Sequence, residues 1–288
     1  MFRWLRSSRW IDLAFAGRTW QTTEIERVTR VLDTSTKPFL AMTDEGAAIV
    51  KYIGNPAGAD ALICELVGSE LANMVGLTTP DFAILEIPSL ALPNSPLVQV
   101  APGPAFFSRW VEATSLSPDS TLLKKLRHPN AVAKLVVLDT WLRNKDRFAA
   151  SGSGGYENVN YDNVLLRMDK RMVELVVIDH THALVETTLE DELGPAWVEE
   201  QTVYGLFNQF KPLLDRKAVG SALALVEQID LEAIRRVCEG VPREWGMTNG
   251  LAERLSSCLA ERGEALGSWL PAAIFDQYEM NFEQGEGA

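Results

Sequence analysis

Two apolar, β-prone runs, Asn163-Val-Leu-Leu-Arg-Met168 and Met172-Val-Glu-Leu-Val-Val-Ile178, are separated only by Asp169-Lys-Arg171. So short a polar break between such runs predicts a tight antiparallel hairpin. A hairpin sets the start of its first strand beside the end of its second, so Asn163 and Asp179 are expected as neighbours although 16 positions apart. Upstream, Ala131 to Arg143 reads as a buried helix, with Asp146 following it in a loop at the same end. Two carboxylates and an amide oxygen thereby collect at one spot. Hard oxygen donors of this kind suit Mg²⁺, which takes one or two carboxylates alongside substrate phosphates.

The preceding chain is strand-rich. Phe39–Thr43 and Ala47–Ile53 form a second hairpin around Asp44-Glu-Gly46, after a polar turn Thr34-Ser-Thr-Lys-Pro38. Lys51 stands in the second of these strands between Val50 and Tyr52, and on the strand alone it reads as solvent-facing. Ala59 to Val75 has helical periodicity and ends at Gly76, where a helix C′ glycine belongs. Its acids Glu65 and Glu70 read as solvated, unless Glu65 turns toward the Lys51 strand and offers a carboxylate to the ammonium. Phe82–Ile87 and Leu97–Val100 are further strands. A stretch rich in Pro, Gly and Ser comes next, from Ala101 to Ser120, and marks a domain boundary. Beyond it Trp197–Leu214, Asp215–Gln228, Leu231–Gly240 and Leu251–Leu270 read as helices.

The expected class is therefore α+β. An N-terminal extension (1–33) precedes a β-rich lobe with one main helix (34–110), a mostly helical lobe containing the catalytic hairpin (111–278) and an acidic, frayed tail (279–288). A net charge of −12 argues against a general nucleic-acid binder and leaves room for a local basic pocket. Cys64, Cys238 and Cys258 lack metal or redox spacing and read as buried, reduced thiols. No apolar run is long enough to span a bilayer. Residues 1–18, basic and aromatic with no uninterrupted apolar stretch, read as a segment that packs on the body or a partner rather than a secretory signal. These features together predict a cytoplasmic protein.

The order of parts resembles a protein-kinase-like fold, and more closely the HipA-like kinases. The resemblance rests on three stretches. The first holds Thr36-Lys-Pro-Phe39, Asp44-Glu-Gly46, Ile49-Val-Lys51-Tyr52, Gly54-Asn-Pro-Ala-Gly58, Glu65, Leu71-Ala72, Gly76-Leu77 and Pro80. The second is Asp139-Thr-Trp-Leu-Arg-Asn144-Lys-Asp146-Arg147, and the third Val177-Ile-Asp179-His180. The resemblance implies an ATP- and Mg²⁺-dependent Ser/Thr protein kinase, of a family whose members are often toxins neutralised by an antitoxin partner. It implies Lys51 on the nucleotide phosphates, oriented by Glu65, with Ser35, Thr36 and Lys37 in the phosphate loop. Asp146 would be the catalytic base, Asn163 and Asp179 the metal ligands, and Arg147 either a phosphate contact or a brace for the loop. Phosphoryl transfer needs placed charge more than covalent chemistry, so such a set suffices.

The chain departs from the family in two places. Its phosphate loop has no glycine, and Phe148 stands where a histidine usually succeeds the arginine. Asp146 and Asn163 are also 17 positions apart, across the polar insertion 149–160, so Asn158 and Asn160 compete with Asn163 as metal ligand. Two other readings stand. Asp179-His180-Thr-His182 resembles a metallohydrolase run, since histidines alternating at a strand end face one side. A nucleotide-binding module of kinase shape, without transfer, would suit the glycine-free loop.

Overall fold

The computed structural model describes residues 20–92, 99–149 and 158–283. The opening segment 1–18 and most of the insertion 149–160 lie outside the described residues. In chain order the strands and helices are β1 (Ile25–Val31), β2 (Phe39–Thr43), β3 (Gly46–Lys51), α1 (Asp60–Met74), β4 (Phe82–Ile87), β5 (Leu90–Ala91), β6 (Gln99–Val100), β7 (Gly103–Arg109), β8 (Thr114–Ser115), α2 (Ala131–Trp141), β9 (Phe148–Ala149), β10 (Asn158–Val159), β11 (Val164–Asp169), β12 (Met172–Val177), α3 (Leu189–Glu192), α4 (Pro195–Glu199), α5 (Arg216–Glu227), α6 (Leu231–Glu239) and α7 (Asn249–Glu283).

Five strands make an antiparallel sheet in the order β1-β2-β3-β7-β4. Residues 1–33 were expected as an extension outside the β-rich lobe, yet β1 falls within them. Ile25–Val31 pairs with β2, and the preceding residues are tied down by Asp44 in the β2–β3 turn. Asp44 accepts bonds from the Thr22 and Thr23 hydroxyls and from the Thr23 and Glu24 amides. Partial burial pushes its carboxyl up, but these four donors outweigh that and hold it at about 2.

Alternation along the strands sorts side chains onto two faces. Val50, Tyr52, Ala105 and Phe107 enter a small core with Phe39 and Ala83. Phe106 and Phe82 point the other way, into the main core with α1. Lys51, lying between Val50 and Tyr52, must also face α1. Its expected solvent face does not exist, because α1 and the segment after β12 cover it. Glu65 is buried in the pairing with Lys51 that was its alternative reading, and Glu70, read as solvated, is buried as well. α1 has twelve of its fifteen residues buried, as befits a helix that is apolar nearly all round and lies between two layers.

The hairpin forms as expected, with Val164 opposite Val177 and Asp169 opposite Met172. α2 is buried through most of its length. Asp215 and Asp230 cap α5 and α6 by accepting from the Ala218 and Ala233 amides. Two helical expectations change. α7 runs to Glu283, so the first part of the expected frayed tail is helical. Trp197–Leu214 is not one helix: α4 stops at Glu199, and a 3-10 turn occupies Asn208–Leu213. Gly205 has φ +70, and a Cβ there would lie 2.4 Å from Asp139 Oδ2, so the chain turns under α2. Pro212 lies inside that turn and has no amide to donate to an α-helical ladder.

Candidate active site

Lys51 ends β3, and its Nζ donates to Glu65 Oε2 at 2.8 Å, Asp179 Oδ1 at 2.9 Å and Thr181 Oγ1 at 2.6 Å. Glu65 Oε2 also accepts from the His180 amide at 2.8 Å and the Thr181 hydroxyl at 3.1 Å. One carboxylate on α1 thus holds both the lysine and the segment after β12. Burial disfavours the ammonium, but Asp179 and Glu65 outweigh it and raise the Lys51 pKa above its ordinary value. Burial likewise pushes the Asp179 carboxyl up, and the Lys51 charge with hydrogen bonds from Lys51 and Thr181 holds it well below the carboxylate range. Both groups are therefore charged at neutral pH.

Asp179 has φ +57, a left-handed conformation that aspartate tolerates better than most residues. Its Oδ1 accepts from the Thr181 amide at 3.2 Å, a local turn that fixes the carboxylate. The side chain is 33% exposed, and among the described residues Oδ2 takes no hydrogen bond. Nearby, the Ile178 amide donates to the Asn163 carbonyl at 3.3 Å, the juxtaposition expected of the hairpin's open end.

Asp146 is half-buried, and its Oδ2 accepts from Asn163 Nδ2 at 2.8 Å and Asn160 Nδ2 at 3.2 Å. Asn158 donates instead to the Lys145 and Asp146 carbonyls, at 2.9 and 3.3 Å, and so supports the loop backbone. Asn163 turns its amide nitrogen to Asp146, and its Oδ1 is unclaimed among the described residues. Asn163 Oδ1 and Asp179 Oδ2 are hard oxygen donors that fit Mg²⁺ completed by phosphates. Among the described residues no three His, Cys, Asp or Glu side chains group as a metal site of their own.

Arg147 is fully buried and ion-paired with Asp139. Its Nη2 donates to the Ile178 carbonyl at 2.8 Å and its Nε to the Asn163 carbonyl at 3.4 Å. This geometry matches the brace reading: the buried guanidinium clamps the loop after α2 to both ends of the hairpin. Burial pushes its partner Asp139 up to about 6 despite Arg147 and Asn144.

In the turn before β2, Thr36 is buried, whereas Ser35 Oγ lies 2.9 Å from His182 Nε2. Lys37 is turned to Asp33 and away from the cluster. The two histidines do not share a side as the metallohydrolase reading requires. His180 is wholly buried against Gly68, where a Cβ would come within 2.5 Å of it, while His182 meets Ser35. Strand alternation stops at Val177, and the left-handed Asp179 turns the chain in a new direction before His180. Burial lowers the His180 pKa, and its ring is neutral.

Sequence reasoning missed Thr181, and it placed Asp139 within the second stretch without giving it a role. An aspartate with a threonine two residues later is the signal for the first. Nothing local marks Asp139, whose importance comes from a residue eight positions on.

No helix among the described residues is long and apolar enough to cross a membrane. None of the curated proteins matches the sequence. Among solved structures, the proinflammatory kinase CtkA of Helicobacter pylori is similar at 14% identity, with 88% of this chain and 96% of that chain covered and a TM-score of 0.55. HipA of Shewanella oneidensis, solved with HipB and operator DNA, matches at 11% identity over 89% of this chain and 67% of that one, with a TM-score of 0.41. The likeness to CtkA shows that the fold is protein-kinase-like. The family model described as HipA-like kinase matches residues 24–262, a span that includes Lys51, Glu65, Asp146, Asn163 and Asp179, and the chain belongs to the HipA-like kinase family.

Proposed function

We propose that this kinase-type phosphotransferase moves the γ-phosphoryl group of ATP, with Mg²⁺, to the hydroxyl of a protein serine or threonine. The observation that carries the reading is the Lys51 ammonium held between Glu65 and Asp179, beside an Asp146 that two amides orient. Lys51 supplies fixed positive charge for phosphate oxygens in a site where reorganisation is small. Asn163 and Asp179 would hold Mg²⁺, which neutralises charge on the β- and γ-phosphates. Asp146 keeps one oxygen on the two asparagines, leaving the other to orient the acceptor hydroxyl and take its proton. Ser35 and Thr36 supply hydroxyl or amide donors in place of the missing glycines. Arg147 positions and does not touch substrate.

A protein acceptor, a cytoplasmic setting and an antitoxin-like inhibitor follow from the resemblance to HipA-like kinases. Mixing the protein with Mg²⁺, γ-labelled ATP and lysate protein tests the chemistry. Labelling is expected to fall about 10²- to 10⁴-fold in Asp146→Asn and to vanish in Asp179→Asn. Undiminished labelling by Asp179→Asn would remove the metal assignment, and ATP binding without any transfer would leave a nucleotide-binding module.

A further inference from the structure

The far end of the β11–β12 hairpin holds a group of side chains that the catalytic reading does not use. Six residues of strand at roughly 3.3 Å each put it about 20 Å from Asn163 and Asp179. Lys124, Lys125, Arg127, Arg167, Lys170 and Arg171 gather there in a chain whose net charge is −12. Leu126 bridges Val173, and the Arg127 amide donates to the Val173 carbonyl at 2.9 Å, which lays the 3-10 turn Thr121–Lys125 beside the hairpin. Arg127 pairs with Asp169 and Arg167 with Glu174. Lys124, Lys125, Lys170 and Arg171 are exposed, with no ion pair among the described residues.

Two further observations come from other physics. Met168 and Met172 are 50% and 39% exposed, two of the four large apolar side chains exposed among the described residues. Exposed methionine suits a surface that accepts varied apolar side chains. In addition, β8 pairs with β11 only at Leu165 and Leu166. Among the described residues, Arg167–Asp169 therefore has a strand neighbour on the β12 side alone, leaving a short open edge beside Lys170 and Arg171 of the turn, while Lys124 and Lys125 lie along the other edge, outside β12. Open edges template the addition of a strand.

We propose that this hairpin end is a docking site for an extended, acidic segment of a partner protein. The segment adds to the Arg167–Asp169 edge, sets carboxylates against Lys170 and Arg171, and rests an apolar side chain on Met168 or Met172. Charge complementarity selects an acidic partner, and strand addition supplies backbone bonds. A nucleic acid fits less well, because Asp169 and Glu174 stand among the cations and the methionines offer phosphates nothing. Docking needs no nucleotide, so it stands or falls separately from the phosphotransferase reading.

The full chain, titrated into a short fluorescein-labelled peptide of alternating glutamate and valine, tests this by fluorescence anisotropy. Saturable binding is expected, weakened at least about tenfold by Lys170→Glu/Arg171→Glu, with new amide-exchange protection at Arg167–Asp169. If that variant does not fold, Lys170→Gln/Arg171→Gln and a peptide N-methylated on its valine amides each give the same weakening. Equal or tighter binding of a lysine–valine peptide, of a single-stranded oligonucleotide of matching charge, or of anionic lipid vesicles would overturn the proposal. So would affinity unchanged by charge reversal.

Discussion

Lys51 has three partners within 2.9 Å, and removing it leaves Glu65 buried with the cation gone. Breaking a buried pair from one side costs about 3–5 kcal/mol. Lys51→Met is therefore expected to lower the denaturation midpoint as well as abolish transfer, whereas Asp146→Asn, at a half-buried loop position, should lower kcat alone. Denaturant titration beside single-turnover labelling separates the two. Asp179 gives a pH signature. Its carboxyl is held below the ordinary value, so below about pH 4 the unfolded chain binds the proton first. The stabilisation is complete above that pH and is lost as pH falls through about 4 and below. Unfolding free energies measured from pH 7 to 3 should fall more steeply for wild type than for Asp179→Asn; parallel curves would show that the Lys51–Asp179 pair contributes nothing.

At the scale of elements, α1 carries the site because it packs without a gap against the segment after β12. Gly68 shows this. Replacing a mid-helix glycine with alanine ordinarily gains about 1 kcal/mol. Here the new Cβ would meet the His180 ring at 2.5 Å and press on the segment whose amide binds Glu65. Gly68→Ala is expected to destabilise and to raise KM for ATP, reversing the usual sign; a gain in melting temperature would contradict the packing described. α7 is anchored in a comparable way. Arg262 is buried and donates to the Thr140, Trp141, Trp197, Val198 and Glu200 carbonyls, gathering the ends of α2 and α4. Burial, only partly offset by Glu200, lowers its pKa to about 10, so it remains charged at neutral pH. Arg262→Met should destabilise by about 3–5 kcal/mol through those orphaned carbonyls and the buried side of Glu200.

Across the whole molecule, the site exists only where the sheet meets the helical part, and Lys51–Asp179, Lys51–Thr181 and Ser35–His182 are among the side-chain bonds that cross there. ATP with Mg²⁺ at a hundred times its Kd is expected to add about 2.7 kcal/mol by mass action. Thermal unfolding should register the shift in wild type and not in Asp179→Asn. The sequence by itself determined the two hairpins, α1, α2 and the meeting of Asn163 with Asp179. Each comes from periodicity, turn chemistry and register, which are local. Only the tertiary structure decided that Lys51 is buried, that Arg147 is buried against Asp139, that the chain turns at Gly205, and that His180 and His182 part company. Those outcomes depend on what covers a face, and a residue's cover comes from elements up to 147 positions away, as Ser35 and His182 show.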